Sequence, residues 1–89
     1  MPLAHSDLVQ SVLRIADILE IVSSSAEGVT LSEISGRLCL KGPTVHNLLR
    51  TLVSRGLLDR GRRPIRYRIG GGLYQIVRTS FERSVSCRA

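Results

Sequence analysis

Leu8, Val12, Ile15, Leu19 and Val22 return at alternating four- and three-residue steps, the period of one helix face. Val9, Leu13, Ala16 and Ile18 widen that stripe, which predicts a helix covered on two sides, by its own domain and by a partner subunit. Ser6 is placed to cap its start, with Asp7 in the first turn, and the run Ser23-Ser24-Ser25-Ala26-Glu27-Gly28 ends it. A shorter pattern, Leu31, Ile34 and Leu38, begins at Thr30-Leu31-Ser32-Glu33. That is a capping box, and Val29 and Ile34 flank it as a hydrophobic staple. After the break Cys39-Leu40-Lys41-Gly42-Pro43, a third helix is predicted over 43–55. Its inner stripe is Val45, Leu48, Leu49 and Leu52 with Val53 at the margin, and Gly56 closes it.

Beyond Gly56 the period changes. Leu57 and Leu58 start a short strand, and Ile65-Arg66-Tyr67-Arg68-Ile69 alternates apolar and basic residues as a half-buried strand does. The alternation turns Tyr67 and both isoleucines inward and puts Arg66 and Arg68 on one outer face. Gly61-Arg62-Arg63-Pro64 forms the hairpin tip, and Gly70-Gly71-Gly72 predicts a flexible break. Leu73, Ile76, Val77 and Phe81 mark a final amphipathic helix that fades into a polar tail, Glu82 to Ala89. Helix, tight turn, helix and basic hairpin make a winged helix-turn-helix: mainly α with a small β-hairpin, followed by a linker helix. The chain divides into a winged unit, 1–69, and a linker helix and tail, 70–89.

Size and charge narrow the function. At 89 residues the chain buries a modest core, which disfavours a deep substrate pocket, and no catalytic or cofactor role is expected. Aromatic residues are few (Tyr67, Tyr74 and Phe81), so the core is aliphatic. The net charge of +6 is carried by arginine, Lys41 being the one lysine, and it is unevenly spread. Arg50 to Arg68 holds seven arginines and one acid, Asp59; Ser6 to Glu33 holds five acids and one arginine, Arg14. Such a basic half suits a polyanion. No apolar run approaches the ~20 residues that span a bilayer, and no signal sequence is evident, so a cytoplasmic protein is expected. Cys39 and Cys87 match neither a disulfide framework nor a zinc spacing, and Cys39 reads as a packed thiol near a helix end. His46 lacks metal-binding company, since His5 lies in the amino-terminal arm.

The outer face of the third helix carries Pro43, Asn47, Arg50 and Ser54, flanked by Thr44, His46 and Thr51, with no acid among them. A solvated structural helix mixes charges of both signs; a helix that lies between phosphates excludes carboxylates. Asn47 and Arg50 have the donor geometry for adenine and guanine edges. Thr44, His46 and Thr51 are candidate contacts to base or phosphate. In the wing, Arg62, Arg63, Arg66 and Arg68 suit phosphate or minor-groove contact, which positions a protein without choosing sequence. Ser32 and the amides at the start of the second helix, together with Lys41, are candidate backbone braces.

These residues together resemble the DNA-binding half of an IclR-type bacterial transcriptional regulator. The resemblance runs over roughly Val9 to Val77. It rests on the segments Ser11 to Glu20, Leu31-Ser32-Glu33-Ile34, Thr44 to Leu52 and Arg66-Tyr67-Arg68-Ile69-Gly70. It implies a repressor-like regulator that binds a palindromic operator in double-stranded DNA as a homodimer, held through the first helix and the carboxy-terminal helix. The chain departs from the family pattern in two places. Lys41, Gly42 and Pro43 stand where Pro-Lys-Ser is usual, and Asn47 follows the histidine where arginine is common. Family members continue into a ligand-binding domain through a linker helix that Leu73 to Phe81 resembles. Here none follows, as in an excised domain or a stand-alone form without effector sensing. One alternative is a winged-helix protein-interaction module without specific DNA binding, which the acid-free outer face argues against. Another is a metal- or redox-responsive switch built on Cys39.

Overall fold

The computed structural model describes residues 8–87. Their elements follow in the order α1 (Gln10–Ser23), α2 (Leu31–Leu38), α3 (Gly42–Ser54), β1 (Leu58–Arg60), β2 (Tyr67–Ile69) and α4 (Gly71–Cys87). This is the mainly helical fold with one hairpin that the periodicity predicts.

The start of α2 shows how local chemistry sets an element boundary. Thr30 is extended, and its hydroxyl accepts a hydrogen bond from the Glu33 N–H at 3.2 Å, satisfying one amide that the helix cannot. The reciprocal half of the expected capping box is not formed among the described residues. Glu33 is exposed and its carboxylate stays in solvent. Val29 and Ile34, the expected staple, are both buried. Thr30→Ala should therefore lower unfolding free energy by about 1 kcal/mol, read from a urea titration. An unchanged midpoint would mean that the cap bond adds nothing over water.

α1 begins later than predicted. Leu8 and Val9 are not helical, Val9 is the N-cap residue, and no side chain caps it. Ser6 and Asp7 lie outside the described residues. Of the broad apolar stripe, Ile18 and Val22 reach the core and Ile15, Leu19 and Ile21 pack at its edge. Val9 and Val12 are 64% and 61% exposed, so the second side of the stripe is uncovered.

The core joins Ile18 and Val22 of α1, Val29, Ile34 of α2, Val45, Leu49 and Leu52 of α3, Leu58 of β1 and Tyr67 of β2. Apart from Tyr67 it is aliphatic. Burying each such side chain stabilises the fold by about 1.5–3 kcal/mol, and no buried polar side chain among the described residues offsets this. β1 and β2 pair antiparallel with Leu58 opposite Ile69, Asp59 opposite Arg68 and Arg60 opposite Tyr67. Val29 exchanges two backbone hydrogen bonds with Tyr67, at 3.0 and 2.7 Å. The segment before α2 thereby covers the free edge of β2 and ties the α1–α2 connector to the hairpin.

The hairpin is shorter than its alternation suggests. Ile65 precedes β2 at the tip and is 46% exposed, so only Tyr67 and Ile69 of the three expected residues face inward. The glycine run is not a flexible break either. Gly70 is buried, its N–H donates to the Leu57 carbonyl, and the Gly72 N–H donates to the Gly56 carbonyl, both at 2.9 Å. α4 starts inside the run, at Gly71, and continues to Cys87 through residues expected to form a tail. It meets the body chiefly at its start, through Gly56 and β1, and its apolar residues Tyr74, Ile76, Val77 and Phe81 are exposed. The radius of gyration is accordingly 15.0 Å, against about 12 Å for a compact chain of this length.

Candidate nucleic-acid interface

Two turns aim α3. At its start, α2 closes on Cys39 in the left-handed conformation (φ 55°), and the Leu40 N–H reaches back to the Ser35 carbonyl at 3.2 Å. The Ser35 hydroxyl donates to the Leu40 carbonyl, which fastens the turn from the other side. Lys41 is the N-cap residue of α3 and Pro43 lies in its first turn, where a missing N–H costs nothing. A Cβ on Gly42 would stand 3.9 Å from Leu31, so the amino termini of α2 and α3 abut. At its far end Gly56 takes φ +74°, a left-handed stop.

With Val45, Leu49 and Leu52 buried, Pro43, His46, Asn47, Arg50, Thr51 and Ser54 are exposed, as the helical period predicts, and Thr44 is half-buried. Their hydrogen-bonding capacity is unequal. The Thr51 hydroxyl donates to the Asn47 carbonyl at 2.8 Å and the Ser54 hydroxyl to the Thr51 carbonyl at 2.6 Å, so both protons are committed to the helix itself. No hydrogen bond or ion pair among the described residues engages the side chains of Asn47, Arg50 or His46. Asn47, Arg50, Thr51 and Ser54 line a shallow depression of about 310 Å³. On its other flank Arg50 also lines a cleft of about 430 Å³ between α3 and the hairpin, with His46, Arg60 and Tyr67. Arg50 and Ser54 line both and form the ridge between them.

The wing arginines separate into two groups. Arg62 and Arg63 are exposed at the tip. Arg66 and Arg68 share a strand face, as alternation requires, but that face looks onto the α1–α2 connector. An Arg66 Nη donates to the Gly28 carbonyl at 3.3 Å, and Arg68 donates from Nε and Nη2 to the Glu27 carbonyl at 3.1 and 2.9 Å. These two guanidiniums brace the connector, with part of their donor capacity left over. Arg60 was not among the candidates drawn from sequence. The signal for it is the same alternation: two residues on from the buried Leu58, it shares that residue's face and turns toward α3.

Ser32 and Lys41 are exposed, in the first turn of α2 and at the start of α3. Among the described residues the single ion pair is Arg78 with Glu82 on α4, and none involves an arginine of α3 or the wing. No group of three or more metal-binding side chains occurs there. Cys39 is exposed, contrary to the packed thiol expected, because the left-handed turn carries it away from the core face of α2. His5 lies outside the described residues. No helix among them is long and apolar enough to cross a membrane.

The model of the IclR helix-turn-helix domain matches residues 11–62, more than half of the chain. Among solved structures the chain is similar to an IclR family transcriptional regulator from Brucella abortus, at 25% identity and a TM-score of 0.70. That match covers 81% of this chain and 28% of the regulator, so the chain spans little more than a quarter of its relative's length. It is also similar to MepR of S. aureus, solved with ethidium bromide bound, at 21% identity and a TM-score of 0.58. There the match covers 98% of this chain and 69% of MepR, and it bears on the fold alone. No curated protein matches the chain.

Proposed function

The chain belongs to the IclR helix-turn-helix family, and from that premise we propose that it binds double-stranded DNA sequence-specifically with α3 in the major groove. Its family and its winged-helix fold are those of DNA-binding transcriptional regulators. The observation that carries the finer reading is the exposed face of α3. It is free of acids, and Asn47 and Arg50 are exposed on it with no side-chain hydrogen bond or ion pair among the described residues. Those two side chains read base edges. Arg62 and Arg63 at the wing tip lie on flanking backbone or in the minor groove. Ser32, Lys41 and the abutting amino termini of α2 and α3 face phosphates.

The winged unit, 1–69, carries this activity, and the segment 70–89 serves as a linker helix and tail, with α4 also serving assembly. Tyr74, Val77 and Phe81 recur at i, i+3 and i+7 on α4 and are between 59% and 70% exposed. With the uncovered Val9 and Val12 of α1 they make apolar surface for a second copy of the chain. A symmetric pair presents two α3 helices to a palindromic operator, with half-sites about 34 Å apart or a multiple of that. Occupation of such a site acts as repression.

Selection of bound sequences from random duplex DNA tests this reading. A recurrent palindromic site with affinity falling steeply in salt is the expected result. Asn47→Ala and Arg50→Ala should each cost about 1–3 kcal/mol on that site and relax preference at one base position. Recovery of no preferred sequence, or full operator preference in both variants, would remove α3 as the reading element.

A further inference from the structure

The cleft between α3 and the hairpin has a chemistry of its own. One wall is α3, with His46 and Arg50 one turn apart and Val53 below them; the other is the hairpin, with Arg60 and the buried Tyr67. The pairing register explains why an arginine stands there. Arg60 is opposite Tyr67 and shares a face with Leu58, so it occupies an inward-facing position at the point where the hairpin leaves the core. It remains exposed, and no acid pairs with it among the described residues. Asp59, the nearest carboxylate on the hairpin, has the opposite parity and lies across from Arg68. The cleft thus combines three nitrogen-bearing side chains and the Ser54 hydroxyl with an apolar inner wall, and has no carboxylate in its lining.

A volume of about 430 Å³ exceeds the space that a phosphate group alone requires. It accommodates a phosphate together with an attached sugar, the sugar against Val53 and Tyr67 and the charge against the basic rim. We infer that this cleft seats one sugar-phosphate unit of a DNA strand, with Arg60 as the clamp from the wing and His46 as the donor from α3. The inference rests on the DNA-binding reading above and deepens it. Arg50, on the ridge, reaches the base edge on one side while the strand passes through the cleft on the other. The hairpin's grip on DNA beside α3 then comes from Arg60, whereas Arg66 and Arg68 hold the connector behind it.

The test compares the full chain with Arg60→Gln and Arg60→Lys on an arbitrary duplex and on a selected one, over 50–200 mM salt. Loss of one phosphate contact reduces the slope of log affinity against log salt by about 0.9, which makes the drop over that range roughly threefold smaller. Arg60→Gln should show this on both duplexes alike, and Arg60→Lys should keep the wild-type slope. A wild-type slope in Arg60→Gln, with duplex binding retained, overturns the inference and leaves the DNA-binding reading standing. Absence of salt-dependent duplex binding by the unaltered chain overturns both. In a second arm, thymidine monophosphate is added at constant ionic strength. Failure to displace duplex is expected; displacement that Arg60→Gln abolishes would make the cleft a mononucleotide site and overturn the assignment to a strand.

Discussion

Gly70→Ala should lower the unfolding free energy by about 3 kcal/mol or more, the upper end of what overpacking costs. A Cβ at Gly70 would lie 2.4 Å from the Gly56 carbonyl oxygen and 3.0 Å from both N and C of Leu58. All three are backbone atoms, so no side chain can rotate away to make room. Nor can the backbone yield locally. Gly70 and Gly72 both hydrogen-bond across this joint, to Leu57 and Gly56, and Gly56 is itself the left-handed stop of α3. Any shift that relieves the clash therefore disturbs the end of α3, the start of β1 or the direction of α4. For a domain of this size the expected fall in melting temperature is roughly 10–25 °C. Gly71→Ala is the control, since a Cβ there meets nothing within 4 Å and sits in the first turn of α4. It should be neutral or stabilising by a few tenths of a kcal/mol to about 1 kcal/mol. Equal melting temperatures for the two variants would show that the joint is not closed in solution.

That joint also shows where sequence reasoning stops. Three glycines in a row carry a compositional signal for freedom, yet two of them are close-packed, because the deciding contact comes from Gly56 across the hairpin. Nothing in a local window announces a partner so far along the chain. The faces of α3 were legible for the opposite reason. Helical period alone sorts Val45, Leu49 and Leu52 from Asn47 and Arg50, whatever packs against them. Strand alternation gave half of its information. It grouped Arg66 with Arg68 correctly but not the surface they meet, which required knowing that Val29 pairs with Tyr67 and brings the Glu27 and Gly28 carbonyls alongside. The same parity applied to β1 turns Arg60, two residues on from the buried Leu58, toward α3. Thr30 was legible as a cap because one threonine hydroxyl and one amide suffice. The Glu33 half of the box depends on a long side chain giving up solvent, and it does not do so.

On the proposed assembly, Phe81→Glu should turn a dimer into a monomer at micromolar concentration, measured by sedimentation velocity. Phe81 is 70% exposed on α4, with Tyr74 and Val77 on the same stripe, and its burial in an interface is worth about 1.5–3 kcal/mol. In a two-fold interface the residue occurs twice, so one substitution removes the gain twice and places two carboxylates in apolar surroundings. The effect on DNA follows from geometry rather than contact. Once one α3 is docked, its tethered copy meets the second half-site at high effective concentration, an advantage of about 10²–10⁴ in affinity. Phe81→Glu should forfeit most of that on a two-half-site duplex and leave affinity for a single half-site unchanged, because Phe81 lies on α4 and not on α3. Arg50→Ala should weaken both duplexes, which separates loss of reading from loss of assembly. A dimeric Phe81→Glu, or an unaltered chain that is monomeric at the same concentration, would sink the assembly role of α4 without touching the role of α3.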